Sequence, residues 1–309
     1  MGSFAACSML YHLLLQTVKT LQSAGVSPGQ PHLLQYNLND GEDVEKAVND
    51  LSQAAIGESL YVIADEAGPE YISKSFQTFC ELLLTQVPHL HLWAASCFHG
   101  HAPAGWQVEC LTRPLRSTPV VVREVEQDEW ITRHRLVLPY RERGGPDHTD
   151  GPPVTRLYHR GQGHSGRRPG DCITCGREVA TFLHSLRDGA RAQILTTSTL
   201  EGPTSSPKLQ WRDMLVLCWG QATMDMGMIT GLQEAGIPVR VMTDDDIEDV
   251  ATARSDVVWV VDTNGVRGLE RKVVVCVELD PTFNILSSPA RLLSMSRCTS
   301  QLVIVFATD

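Results

Sequence analysis

The sequence predicts an α/β fold in which parallel strands alternate with helices. Continuous apolar runs of strand length occur at 60–64 (LYVIA), 214–219 (MLVLCW) and 273–279 (VVVCVEL), as is typical of strands buried on both faces of a parallel sheet. Apolar residues at helical spacing occur at 8–23, before the first of these runs, and at 72–86, after it. Because the strand–helix rhythm occurs twice along the chain, we expect two parallel sheets flanked by helices.

The same patterns assign the remaining elements in chain order. In the first half, 32–38 is compatible with a strand, 43–54 with a helix and 89–95 with a strand. In the second half, helices are expected at 178–189, 222–235 and 288–295, with an acidic helix start at 244–250. Further strands are expected at 238–242, 257–261 and 301–306.

A change of composition predicts a domain boundary near residue 110. Residues 1–110 contain three Lys, no Arg and 11 acidic residues, whereas 111–191 contain 14 Arg, no Lys and ten acidic residues. We therefore expect a first domain over 1–110 and a second over 111–309, with a Gly/Pro/Arg/His-rich loop near 143–170. The Arg-rich stretch is compatible with a phosphate-binding surface or with a solvated loop.

Composition also restricts the class of protein. The chain has 309 residues, of which 42% are hydrophobic, so it is long and apolar enough for a globular fold. No apolar run reaches the roughly 18 residues of a membrane span, so no membrane partner is expected. The nine cysteines are scattered and odd in number, which favours an intracellular protein, nuclear or cytoplasmic, over a disulfide framework. The net charge of −10 argues against general nucleic-acid affinity of the whole surface.

An acidic pair follows the first apolar strand. Asp65 and Glu66 come directly after LYVIA, and ligand chemistry in α/β folds gathers at the carboxyl ends of parallel strands. In nucleoside-triphosphate hydrolases, one carboxylate at this position holds Mg²⁺ and a neighbour orients the attacking water. The competing interpretation is an ordinary charged strand end.

Three later positions could contact a nucleotide. Arg116 precedes a strand-like apolar run, and its guanidinium could bind a phosphate with two hydrogen bonds. The loop that contains Gly268 allows close backbone approach, and Glu270 after it could accept hydrogen bonds from a ribose. Arg297 lies between a helix and the last strand, where an arginine can stabilise a transferring phosphoryl group. Each position also fits an ordinary turn or helix end.

Five segments, in this order, resemble the motifs of UvrD/Rep-type superfamily-one helicases. YVIADEAGP (61–69) is similar to the Walker B motif, and LRSTPVVV (115–122) to the arginine motif that opens the second motor domain. The run from MLVLCWGQ (214–221) to LQEAGIPVRV is similar to the strand–helix–GIP segment. VRGLERKVVV (266–275) resembles the GLE motif, with Arg267 in place of the usual Lys, and RLLSMSRCTSQLVIV (291–305) resembles the last Thr-Arg motif. The resemblance covers about 58–309 and is strongest over the last hundred residues. Schlafen-type proteins contain divergent cores of this kind.

The resemblance implies a RecA-like, P-loop NTPase-type architecture, with a partial first lobe and a complete second lobe. It implies ATP and Mg²⁺ as cofactors and single-stranded DNA or RNA as partner. Asp65 would bind Mg²⁺ and Glu66 would activate water. Arg116 and Arg297 would contact the γ-phosphate, and Glu270 the ribose. Arg267 and Gly268 belong to the same nucleotide-binding motif.

The phosphate loop of this family, G-x-x-x-x-G-K-S/T, is missing from the sequence. None of the five lysines follows a glycine, so nothing in the chain would cradle the β- and γ-phosphates. We therefore expect an upstream segment or another protein to supply the loop, and no helicase activity from this chain alone. The alternative is a non-catalytic pseudo-helicase that serves as an interaction or nucleic-acid-binding module.

One cluster of residues has the spacing of a zinc site. His159, His164, Cys172 and Cys175 form the pattern H-x4-H-x7-C-x2-C, and imidazole and thiolate are the usual ligands of tetrahedral zinc. A single C-x-x-C is half of a zinc signature, and the helix after it also fits the helicase pattern. Zinc-dependent nucleic-acid binding without a motor is therefore a third hypothesis.

Overall fold

The computed structural model describes most of the chain, with gaps between the described segments. These are residues 4–27, 29–38, 40–55, 59–64, 73–95, 105–109, 116–127, 150–196, 208–218, 222–263, 269–277 and 294–307.

Helices and strands are interspersed along the described parts of the chain. The helices are α1 (Phe4–Ser23), α2 (Gly41–Ala54), α3 (Ser73–Gln86), α4 (Pro119–Gln127), α5 (Ile173–Thr196), α6 (Gly227–Glu234) and α7 (Ile247–Thr252). The strands are β1 (Leu60–Ala64), β2 (Leu90–Ala94), β3 (Thr155–Tyr158), β4 (Met214–Cys218), β5 (Val239–Val241), β6 (Val258–Asp262), β7 (Arg271–Val277) and β8 (Cys298–Phe306). Short 3-10 helices lie at Pro169–Asp171, Trp211–Asp213 and Asp244–Asp246.

Six strands form one parallel sheet in the order β3-β8-β7-β4-β6-β5. Every residue of β4 is buried, as expected for the apolar run that predicted this strand. Helices α5 and α6 pack on one face of the sheet through side chains such as Val179 and Leu232. Helices α4 and α7 pack on the other face, with Val121 and Val250 buried. The α/β class with a parallel sheet flanked by helices is therefore confirmed.

Residues 41–94 form a smaller unit. Strands β1 and β2 pair in parallel, with Leu60 opposite Leu90, and one face of the pair packs on α2 and α3. The other face carries a stack of aromatic rings, in which Tyr61 and His91 lie 4.5 Å apart between ring centroids. Tyr61 and Trp93 on that face remain 66% and 55% exposed.

The structure corrects three details of the sequence analysis. The strand-like run after Thr118 is helix α4, because Pro119 opens it and Val121 and Val125 are buried at a spacing of one helical turn. The segment 32–38 contains no strand. The loop expected near 143–170 contains β3, a short strand whose partner β8 is distant in sequence and therefore invisible to local patterns.

None of the helices in the described segments is long and apolar enough to cross a membrane.

Candidate functional sites

Elements of the larger sheet bring His159, His164, Cys172 and Cys175 together. His159 follows β3, and its backbone N–H donates to the carbonyl of Phe306 at 2.9 Å, which extends the β3–β8 pairing. Cys172 directly precedes α5 and accepts on its carbonyl from Gly176 N–H, while Cys175 lies in the first helical turn. Both cysteines and His159 are buried, and His164 projects from the intervening loop.

The geometry of this cluster fits a tetrahedral zinc site. One potential ligand atom from each residue lies within 4.8 Å of all the others. His159 Nδ1 is 3.3 Å from Cys175 Sγ, and His164 Nδ1 is 3.4 Å from Cys175 Sγ and 3.6 Å from Cys172 Sγ. In a tetrahedron with Zn–S about 2.3 Å and Zn–N about 2.0 Å, sulfur and nitrogen lie about 3.5 Å apart.

Both imidazoles direct Nδ1 into the cluster and Nε2 away from it. His159 Nε2 is 3.2 Å from the carbonyl oxygen of Gly166, and His164 Nε2 is 3.4 Å from Glu178 Oε1. A metal-binding histidine almost always donates its second ring N–H to a carbonyl or carboxylate, which fixes the ring orientation. The arrangement therefore leaves two nitrogen lone pairs directed at the centre of the cluster.

The cysteine environments favour a negative charge on one sulfur. Burial raises the pKa of Cys172. This effect is outweighed by the backbone N–H groups of Cys175 and Ser165, each 3.5 Å from Cys172 Sγ, together with the side chains of Cys175 and His164, so that the pKa is lowered to about 6. Burial and the nearby Cys172 sulfur raise the pKa of Cys175. A cation between the two sulfurs would favour ionisation of Cys175 as well, because metal binding displaces thiol protons.

Three of the residues predicted to contact a nucleotide lie at the opposite, N-terminal edge of the sheet. Arg116 Nη1 is 2.7 Å from Glu270 Oε2 in an ion pair. Glu270 precedes β7 and Arg297 precedes β8, and Arg271 N–H donates to the Arg297 carbonyl at 3.0 Å. The backbones at Glu270 and Arg297 are therefore neighbours.

Arg271 anchors this edge from inside. Its Nη1 donates to the Glu270 carbonyl at 2.8 Å and its Nη2 to the Val250 carbonyl. Burial lowers the pKa of Arg271, and the nearby carboxylate of Asp213 partly offsets this decrease. The result is a fixed backbone at Glu270, so that its carboxylate has a defined position beside Arg116.

The other predicted residues lie outside the described segments. These are Asp65, Glu66, Arg267 and Gly268. Their convergence with Arg116, Glu270 and Arg297 therefore stays a prediction.

Sequence reasoning missed the residues around the predicted ligands. Glu178 lies one helical turn after Cys175, a spacing that could have suggested a carboxylate on the same face of α5. Gly166 and Ser165 act through backbone groups, for which the sequence contains no side-chain signal.

Comparisons of the chain with models of known protein families and with curated proteins gave no match.

Proposed function

We propose that this chain binds one zinc ion through His159, His164, Cys172 and Cys175. The observation that carries the proposal is the shared orientation of both imidazoles, with Nδ1 near the sulfurs and Nε2 at an outer oxygen. Two imidazoles and two thiols buried together gain little from hydrophobic packing, whereas a divalent cation satisfies all four.

The proposed zinc is structural. Four protein ligands complete a tetrahedron, so no coordination position remains for water or substrate. The ion would join the end of edge strand β3 to the start of α5 and close the loop between them. That loop is rich in glycine and has no apolar core of its own, so a metal is a physically reasonable source of its order.

Metal analysis of the purified chain tests this proposal. We expect one zinc per chain, and loss of zinc in Cys175→Ser and His164→Ala. Cys80→Ala is the matched control, because Cys80 is a buried cysteine in α3, outside the cluster. Cobalt substitution should give the spectrum of a tetrahedral site with two thiolates. A folded chain that takes up no stoichiometric metal would rule the proposal out.

We propose as a second function that the chain forms the nucleotide-facing second lobe of a UvrD/Rep-like, RecA-like motor. The specific observation in favour is the proximity of Arg116, Glu270 and the Arg297 backbone at one edge of a parallel sheet. In this proposal Arg116 and Arg297 contact the γ-phosphate of ATP and Glu270 contacts the ribose. Arg116 is 69% exposed, so it can leave Glu270 for a phosphate at little cost.

The remaining parts of the proposed motor come from the family resemblance. Asp65 would bind Mg²⁺, Glu66 would activate water, and Arg267 with Gly268 would lie against the nucleotide. An upstream segment or a second protein would supply the phosphate loop. Without that loop the chain would be a non-catalytic pseudo-helicase module, and ATP hydrolysis abolished by Glu66→Gln would exclude this alternative.

Binding of MgATP, followed by ligand-detected NMR, tests the second proposal. We expect Arg297→Ala to weaken binding about 10-fold, the cost of one charged hydrogen bond of about 1.5 kcal/mol. Arg177→Ala is the control, since Arg177 is an exposed arginine paired with Glu234 across α5 and α6, on the other face of the sheet from α7. Equal binding by both variants would contradict the assignment of Arg297.

A further inference from the structure

The loop between His159 and Cys172 presents three exposed arginines. Arg160, Arg167 and Arg168 lie on this loop, which we call the arginine loop. Three glycines, Gly161, Gly163 and Gly166, have φ values of +97°, +95° and +84° and allow its tight turns. Because proposed zinc ligands lie at both ends of this loop and in its middle, the ion would fix the positions of the three arginines relative to one another.

Arg160 forms the outer layer of a stack at the carboxyl end of the sheet. Its guanidinium lies 4.7 Å from the centroid of the Tyr158 ring. The Tyr158 ring in turn stacks on Phe306, with centroids 5.3 Å apart and planes at 17°. Guanidinium planes supported in this way are surfaces on which unpaired bases stack.

The charge of this region is opposite to that of the whole chain. Residues 155–172 contain four Arg, no Lys and one acidic residue, within a chain of net charge −10. Three of the four belong to the arginine loop, and arginine binds phosphate oxygens with two parallel hydrogen bonds.

We propose that the arginine loop binds single-stranded nucleic acid. Arg167 and Arg168 contact backbone phosphates, and the Arg160 guanidinium stacks on an unpaired base. A membrane surface is a poorer fit, because residues 160–171 contain no aromatic or large aliphatic side chain to enter lipid. An acidic peptide could pair with the arginine charges, but it has no planar base to stack on the Arg160 guanidinium.

This surface is distinct from the proposed nucleotide contacts. The arginine loop lies at the carboxyl edge of the sheet, and Arg116, Glu270 and Arg297 lie at the other edge. Strand β8 runs between the edges and has nine residues. At about 3.3 Å per residue, the two surfaces are roughly 25 Å apart. The inference rests on the proposed zinc only for the shape of the loop.

Fluorescence anisotropy with labelled oligo-dT and oligo-U tests the inference. We compare the wild type with the triple variant Arg160→Gln, Arg167→Gln, Arg168→Gln. The matched control is Arg123→Gln, Arg240→Gln, Arg254→Gln, which removes the same charge from arginines that pair with Asp150, Asp246 and Glu248. Zinc content is measured on all three proteins, and anionic vesicles are tested in parallel.

We expect the loop variant to bind at least about 10-fold more weakly. Its plot of log affinity against log salt should flatten by about 1.4, for the two single-strand phosphate contacts of Arg167 and Arg168 that are lost. The control should stay within about 2-fold of the wild type, the range expected for exposed ion pairs. Arg160→Lys should keep the salt slope and still weaken binding, because lysine has no planar group for stacking.

The outcomes separate this inference from the zinc proposal. A wild type that carries zinc but binds no oligonucleotide, or a loop variant that binds like the control, would overturn the inference and leave the zinc proposal intact. Binding of vesicles in place of oligonucleotide would also overturn it. If the wild type binds oligonucleotide through these arginines but contains no zinc, the proposed nucleic-acid-binding surface is supported and the zinc proposal is refuted.

Discussion

Glu178 links one proposed zinc ligand, His164, to the helix that carries another, Cys175. It lies on α5 one turn after Cys175, and its carboxylate is 3.4 Å from His164 Nε2. The same stretch of backbone therefore positions one sulfur directly and one imidazole through a hydrogen bond. A carboxylate in this position also makes the histidine a stronger donor to a metal.

Removal of Glu178 should weaken zinc binding without unfolding the chain. We expect Glu178→Ala to lower zinc affinity by about 10-fold or more, because His164 loses the group that fixes its orientation. Competition with a chromophoric chelator measures this affinity. Glu234→Ala is the control, since Glu234 pairs with Arg177 of the neighbouring helix and lies outside the proposed zinc site. A similar loss in both variants would mean that Glu178 acts through general charge alone.

The four residues of the proposed zinc site were predictable from the sequence, but their surroundings were not. Cys172, Cys175 and the two histidines have side-chain chemistry and spacing that point to zinc. The contribution of Gly166 is a carbonyl group, which every residue possesses. The sequence also suggested a nucleotide contact for Arg116 and for Glu270. It could not predict the ion pair between them, because the two residues are far apart in the chain and only the fold brings them together.

Helices α5 and α6 approach so closely that their backbones touch at two glycines. A Cβ atom on Gly231 would lie 2.2 Å from the Ile173 carbonyl oxygen, and one on Gly176 would lie 2.3 Å from the Met228 carbonyl oxygen. This contact fixes the first turn of α5, where Cys175 lies. The position of the proposed zinc site therefore depends on the crossing of two helices as well as on its own loop.

A methyl group at this crossing should destabilise the fold. We expect Gly231→Ala to lower the free energy of unfolding by about 1–3 kcal/mol, the usual cost of overpacking. Gly189→Ala in α5 is the control, because a Cβ there meets no atom within 4 Å. It should stabilise the helix by about 0.5–1 kcal/mol. Urea unfolding measures both, and equal shifts in the same direction would contradict the packing argument.

Among the elements, long apolar strands were predicted best. The runs that became β4 and β7 are buried on both faces and therefore read clearly from the sequence. Helix α4 was misassigned because three consecutive valines are compatible with both a strand and a buried helix face. Strand β3 was missed because its four residues gain their stability from β8.

The larger sheet separates two candidate sites and has a core of its own. Val216, Val260 and Val275 are fully buried at its centre, away from both edges. A metal at the carboxyl edge would therefore order the periphery without determining whether the sheet forms. The sequence could show that Glu270 and Arg297 precede predicted strands, but not that His159 follows one, because β3 was not visible in the local pattern.

Removal of zinc should loosen one region only. We expect a chelator at neutral pH to accelerate amide hydrogen exchange over 155–175 and to leave β4 and β7 protected, because their hydrogen bonds lie within the core. Exchange followed by mass spectrometry measures this pattern. The chelated Cys175→Ser variant is the control and should show no further change. Faster exchange throughout the sheet would indicate that the metal supports the whole fold.

Strand β3 is the outermost strand beside β8, and it is only four residues long. Its pairing with β8 depends on few backbone hydrogen bonds and, in our proposal, on the zinc ion bound to His159. If β3 detached, residues Val303–Phe306 of β8 would expose apolar side chains beside unpaired backbone N–H and C=O groups, the kind of edge that recruits strands from other molecules. The metal centre would then also protect the protein from aggregation, and self-association on prolonged chelation would be its visible sign.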